Sequence, residues 1–268
     1  MSRNHELSLQ VVHFSKLVKR RVTLQSKIPE ELDANWVSEI DIDISKIMFS
    51  SSKSPFGVSK RLIGMDLGVN SRSLTRSRRK SKIEGWGLLA ASYFDYRKEA
   101  LVAKNVIEAA PLKKSIRENL LQHIECLRQI CISEAKYGLI LEDDALPSKF
   151  AFEELQTFLK ERAPRKRFIL FCGSGAGLTR TSSDIDCLPY GIYKTKGYYS
   201  RTAVATIYSR DVAQDIFNLF QNEDLPDWAP IDFLMQIALR KIKCKSYWQD
   251  PPWFIQGSES GEYQSSLR

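Results

Sequence analysis

Two spacings of apolar residues take turns along this chain, and their alternation predicts its architecture. Leu7 to Phe14 (LSLQVVHF) gathers β-forming residues into a first strand. Lys16 to Lys27 then sets Leu17, Val22 and Leu24 among many basic residues, which predicts a first helix. Trp36 to Met48 (WVSEIDIDISKIM) alternates apolar and acidic positions, the period of a half-buried strand. From Ser115 onward, Ile116, Leu120, Ile124, Leu127 and Cys131 recur at three- and four-residue steps, the stripe of an amphipathic helix. Ser115 with Glu118 three positions later has the form of a capping box at its start. His123 sits beside that stripe, at the margin between helix and core.

Leu139 to Leu141 is an apolar run with the character of a buried strand, and Glu142, Asp143 and Asp144 follow it without a break. Ser148 is placed to cap a helix whose buried face is Phe152, Leu155, Phe158 and Leu159, with Pro164 ending it. Arg167–Cys172 and Thr202–Tyr208 predict further strands. Ser209 is placed to cap a helix carrying Val212, Ile216, Leu219 and Phe220. Asp232 opens another helix, with Phe233, Ile237 and Leu239, and Lys243–Trp248 predicts a last strand. Strands alternating with helices imply a single α/β domain over residues 1–268, with a mostly parallel sheet flanked by helices.

Three stretches break the pattern. Residues 49–82 are rich in serine and then in basic residues, and predict a flexible basic loop region. Gly173–Gly177 follows a strand, but its spacing fits neither the dinucleotide fingerprint nor the P-loop, so a flexible loop is expected there. Residues 249–268 form a C-terminal tail with Pro251-Pro252-Trp253-Phe254 and a glycine- and serine-rich end.

Charge and cysteines narrow the class. The formal charge is +8, and Arg72 to Lys82 holds six basic residues and no acid. No zinc finger, RNA-binding aromatic signature or basic zipper accompanies that tract, so nucleic acid is not an expected partner. A solvated loop or peripheral contact with an anionic membrane fits it better. Five scattered cysteines without a C-x-x-C pair argue against a disulfide framework and a structural zinc site. No stretch approaches the roughly 20 apolar residues of a membrane span. The opening MSRNHELSLQ lacks a signal-peptide core, so a cytosolic protein is expected.

The chemistry concentrates at the acidic triplet. Buried charge is costly unless paired or metal-bound, so three acids after an apolar strand belong where that strand leaves the core. In an open α/β sheet this is the crevice where ligands bind. Carboxylates there are suited to a hard cation such as Mg²⁺ or Mn²⁺, although an acidic turn before a helix would have the same composition. Glu142 and Asp144 stand two apart and share a side if the strand conformation persists. Arg20 and Arg21 lie near the start of the first helix, where a guanidinium can meet phosphate or carboxylate.

Several segments in this order resemble the family 25 glycosyltransferases of lipooligosaccharide assembly. They are SIRENLLQHIECLRQICISEAKYGLILEDDA, the strand at Thr202-Ala203, the triplet Pro230-Ile231-Asp232, and Pro252-Trp253-Phe254-Ile255-Gln256-Gly257-Ser258 with Gly261 and Ser265-Ser266. The opening VVHFSKLVKRR is similar to that family's first strand; Gln122, in place of serine or lysine before His123, departs from its pattern. The resemblance implies a glycosyltransferase-A-type nucleotide-binding fold, with the C-terminal tail completing the site. It implies transfer of a sugar, often galactose in such families, from a nucleotide-diphosphate donor to a glycan or lipid-linked glycan acceptor, with inversion and with Mn²⁺ or Mg²⁺. On this resemblance Asp144 and Glu142 hold the metal, and Asp143 binds ribose or a ligating water. Asp232 is the candidate general base, and Asp144, through the metal, is the other catalytic residue. His13, Arg20, Arg21, Glu118, His123, Gln256, Ser258 and Ser265 contact the donor. Two other classes use similar residues: a metal-dependent phosphohydrolase, and a non-catalytic nucleotide-sugar-binding protein of the same fold.

Overall fold

The computed structural model describes residues 6–39, 114–164, 167–174, 191–195, 198, 200–222 and 230–264, with the backbone at 49–50, 185–188 and 225–226. The basic tract at 72–82, the segment Gly85–Tyr96, most of the glycine-rich loop and Ser265 lie outside these residues.

Two strands buried on both faces form the centre. β1 (Leu7–His13) and β4 (Tyr137–Glu142) run parallel, with Leu9 opposite Leu139, Val11 opposite Leu141 and Val12 opposite Glu142. β2 (Ala34–Ser38) lies parallel on the outer side of β1. On the other side β9 (Ala205–Ser209) runs antiparallel to β4 and to β6 (Ile169–Phe171). β11 (Ser246–Gln249) is parallel to β6, and β8 (Ile192–Lys194) and β7 (Ile185–Leu188) continue antiparallel to the far edge. The eight-stranded order is β2-β1-β4-β9-β6-β11-β8-β7. The sheet is therefore parallel around β1 and mixed from β9 onward.

Strand alternation sorts the core into two layers. Leu9, Val11, Leu139 and Leu141 face one side, where they meet Leu24 of α1 (Val18–Gln25) and Phe152 and Leu155 of α3 (Ala151–Thr157). Val12 and Ile140 face the other side. There α2 (Lys114–Ile132) packs with α4 (Arg210–Asn222) and α5 (Ile231–Lys241) through Leu120, Ile124, Leu127, Ile216, Phe220 and Leu234. Helices cover both faces of an α/β sheet. Among the described residues no helix is long and apolar enough to cross a membrane. Cys126, Cys131, Cys172 and Cys244 are free and buried, and burial pushes their thiols up.

Two short ladders trim the sheet. β5 (Ala145–Pro147) pairs antiparallel with β12 (Phe254–Gln256), and β3 (Phe49–Ser50) pairs with β10 (Leu225–Pro226). The first brings the C-terminal segment onto the acidic loop. It is followed by α6 (Gly257–Ser260).

Local capping differs from expectation. Ser115 lies inside α2, and Glu118 makes an i,i+4 ion pair with Lys114 at 3.6 Å. Phe150, not Ser148, is the N-cap of α3, without a side-chain cap; Ser148 contributes only its carbonyl, to Ala151 N–H. Ser209 ends β9, and its hydroxyl both accepts from Phe168 N–H and donates to Phe168 C=O. Cross-strand pairing has taken the hydroxyl that the sequence pattern assigns to a cap. Of the strand predicted over Trp36–Met48, β2 covers the part up to Ser38, Glu39 lies in a turn and accepts from the backbone N–H and hydroxyl of Ser15, and residues 40–48 lie outside the described residues. Partial burial works against ionisation of Glu39, but these bonds outweigh it and pull its carboxyl down.

The contact between α2 and β4 is close enough to test. A Cβ on Gly138 would sit 2.3 Å from Cδ1 of Ile130, a fully buried side chain. Gly138→Ala is expected to lower stability by about 1–3 kcal/mol, the usual cost of overpacking, read by urea denaturation.

Candidate functional site

Strand register assembles the site. Because Val12 pairs with Glu142, the residues that follow them, His13 at the end of β1 and Asp143 just past β4, lie side by side. His13 Nδ1 lies 2.9 Å from Asp143 Oδ2, which also accepts from Phe14 N–H at 3.2 Å. Arg20, in the first turns of α1, donates Nη1 to Asp143 Oδ1 at 2.9 Å. Both carboxylate oxygens are engaged, and all three side chains are buried. An ion in such a place persists because it is paired and hydrogen-bonded. Asp143 is thus an anchor tying β1, α1 and the acidic loop together. The roles of ribose or metal-water contact do not suit an acid so fully committed inside the chain.

The neighbouring acids are held differently. Glu142 receives Asn119 Nδ2 at 3.1 Å and lies 3.2 Å from His123 Nε2, both on Oε1 and both from α2. Asp144 accepts Ser258 N–H on Oδ2 at 3.2 Å, while its carbonyl accepts Gly257 N–H at 2.8 Å. Burial, and after it the charge of Glu142, raises the Asp144 carboxyl above the usual carboxylate range, against the pull of Ser258 and Arg20.

Asp232 joins them from the first turn of α5. Ser200 Oγ donates to its carbonyl at 2.8 Å, which ties the helix start to the segment leading into β9. Part of the residue is exposed, yet its Oδ1 is closed off from solvent and has no hydrogen-bond partner among the described residues. Burial first, then the charge of Glu142, pushes its carboxyl up to about 7; His123 and the Ala203 backbone N–H pull the other way.

Glu142, Asp144 and Asp232 therefore share a region in which negative charge is undercompensated. Asp143, within the same triplet, is neutralised. Such a region has affinity for a proton, a cation or a hydrogen-bond donor. No protein-family model matches this chain, and no curated protein is significantly similar to it.

The donor set fits a hard divalent ion in one specific way. Among the described residues no three His, Cys, Asp or Glu side chains close on a common point as a cage. Mg²⁺-type ions are commonly held by one or two carboxylates, with substrate phosphates and water completing the shell. Glu142 and Asp144 offer that partial set, and the unpartnered oxygen of Asp232 shows that the region's acceptors are not all satisfied among the described residues.

The remaining expected residues divide. Ser258 reaches the cluster through its backbone. His123 does so through its ring, and it is fully buried rather than marginal. Arg21 is exposed, with its guanidinium over Trp36 (5.0 Å to the ring centre). It lines an open groove of about 710 Å³ with His13, Ser15, Val18, Val22 and Ser38, at the ends of β1 and β2. Gln256 is half-buried in β12, with its N–H on Ser174 Oγ at 3.0 Å. Glu118, paired with Lys114, is not drawn into the cluster by any contact of the described structure.

Sequence reading passed over Asn119, Gln122 as a structural group, and Tyr263. Asn119 lies four residues before His123 and so shares its helix face, a signal the spacing carried. Gln122 Nε2 donates to the His13 carbonyl at 2.8 Å. Tyr263 carries no local signal for its contact with Arg20, which comes from the other end of the chain.

Proposed function

We propose that this protein is an inverting, divalent-metal-dependent glycosyltransferase that moves a sugar from a nucleotide-diphosphate donor to a glycan or lipid-linked glycan. One observation carries the reading. The carboxyls of Asp144 and Asp232 gather near Glu142 and His123 at the C-terminal ends of parallel β1 and β4, and burial and Glu142 raise both. That edge is where open α/β sheets bind ligands. The resemblance to family 25 glycosyltransferases assigns its metal and base residues, Glu142, Asp144 and Asp232, to this same set.

Glu142 and Asp144 would hold the ion, Mn²⁺ or Mg²⁺, which when bound would supply Lewis-acid stabilisation of the leaving diphosphate. Asn119 and His123 fix the Glu142 carboxylate, and Ser258 N–H fixes that of Asp144. The groove beside His13 and Arg21 has room for the nucleoside. Asp232 accepts the proton of the acceptor hydroxyl as its oxygen bonds to the anomeric carbon and the bond to diphosphate breaks. A carboxyl pushed up to about 7 is a stronger base than an ordinary one and is still largely ionised just above neutrality. Peripheral attraction to an anionic membrane, through the basic tract, belongs to the same proposal.

Donor binding tests this assignment apart from turnover. Titration calorimetry with nucleotide sugars is expected to show binding that requires Mn²⁺. Asp144→Ala should weaken it at least tenfold, in line with loss of a metal ligand. Binding indifferent to both the ion and Asp144 would remove the metal role. Release of inorganic phosphate without sugar transfer would instead favour a phosphohydrolase.

A further inference from the structure

The geometry points to Tyr263 as a positioning residue that couples Arg20 to the turn holding Asp144. Its link to metal binding rests on the donor-metal reading above. The Arg20 guanidinium lies 5.1 Å from the centre of the Tyr263 ring, while the same side chain donates to Asp143 and to the Gln264 carbonyl. The ring also meets Gly257. A Cβ there would be 2.5 Å from Tyr263 Cδ2 and 2.9 Å from the Asp144 carbonyl oxygen, so ring, glycine and acidic loop are in direct contact. Tyr263 N–H closes the turn on the Gly257 carbonyl at 3.0 Å. Gly257 N–H and Ser258 N–H are in turn the two donors on Asp144, one to its carbonyl and one to Oδ2.

Asp143 and Asp144 are thus positioned by one continuous assembly. Arg20 fixes the first directly. Through the face of Tyr263 it also presses the 257–258 turn onto the second. A cation over an aromatic face is held by the ring's quadrupole, more strongly where it is desolvated, and Arg20 is buried. The Tyr263 hydroxyl plays no part in this; the ring does. Tyr263→Phe therefore keeps the coupling, and Tyr263→Ala loses it. Gly257→Ala breaks it from the other side, because the new Cβ cannot occupy its place beside the Asp144 carbonyl without moving the turn.

Two measurements on the full chain decide the matter. Hydrogen exchange of the peptide covering Gly257–Gln264 is expected to quicken about tenfold or more in Tyr263→Ala and Gly257→Ala, and to match the unmodified protein in Tyr263→Phe. Mn²⁺ affinity, read by the free-ion electron paramagnetic resonance signal, is expected to fall about tenfold in the first two variants and to be retained in Tyr263→Phe, the effect usual for groups that orient a ligand. Unchanged exchange in Tyr263→Ala overturns the inference whatever the metal does. Quickened exchange in a protein that binds no Mn²⁺ keeps the mechanical coupling and rejects the donor-metal reading. Equal loss in Tyr263→Phe and Tyr263→Ala would assign the effect to the hydroxyl and overturn the ring's role.

Discussion

Replacing Arg20 with alanine is expected to lower stability by about 3–5 kcal/mol, the range found when one partner of a buried ion pair is removed. The cost comes from what is left behind. Asp143 is 5% exposed and accepts three donors, of which Arg20 is the permanent cation. Without it a charged carboxylate stays in the core with the His13 ring and one backbone N–H. Arg20→Lys should recover only part, since an ammonium cannot reach both Asp143 and the Gln264 carbonyl as the planar fork does. Adding Asp143→Asn to Arg20→Ala should restore some of the loss, because the unpaired charge, not the missing contact, is the main penalty. Urea denaturation at neutral pH reads all three. A loss in Arg20→Ala below about 1 kcal/mol would mean that the pair is solvated and that Asp143 is no anchor.

Asp232→Asn has two expected effects of opposite sign. Transfer should fall by about 10²–10⁴-fold, the usual contribution of a general base, while donor binding stays close to normal. Stability should rise above neutrality. The native pKa of Asp232 is pushed up to about 7, against roughly 3.9 in an unfolded chain, so the native state holds this proton more tightly. Its stabilising contribution is complete below about pH 4 and is lost as pH climbs through 7, at up to about 1.4 kcal/mol per pH unit. Asp144, also raised, adds a loss of the same sign. In metal-free buffer Asp232→Asn should flatten the fall in denaturation midpoint between pH 4 and 7. A profile identical to that of the unmodified protein would show that Asp232 is not desolvated as described.

Much of this site was legible as position and little of it as role. The run Leu139–Leu141 predicts β4, and the acids after it stand at the sheet edge, because a buried parallel strand reads as continuous apolar sequence. The α2 stripe likewise places His123 against the core. What separates Asp143 from its neighbours is register, and register between β1 and β4 spans more than a hundred residues. No local pattern shows that the acid after Glu142 will meet His13 and Arg20. The antiparallel insertion of β9 between β4 and β6 is invisible for the same reason: Thr202–Tyr208 has the residues of a strand in either direction. Caps failed where tertiary pairing offered the serine another partner, as at Ser209 with Phe168. The C-terminal segment looked like a polar tail. Its structure comes from pairing with Ala145–Pro147 and from Gly257, which admits the Asp144 carbonyl and the Tyr263 ring where no side chain would fit.

Turnover is the most direct test of the central proposal. The full chain would be incubated with a panel of nucleotide-diphosphate sugars and Mn²⁺, with and without glycan acceptors, and free nucleotide diphosphate measured. Release that depends on the ion, increases with an acceptor, and vanishes in Asp144→Ala and Asp232→Asn is the predicted result. No release from any donor under these conditions, or release unaffected by both substitutions, would contradict it.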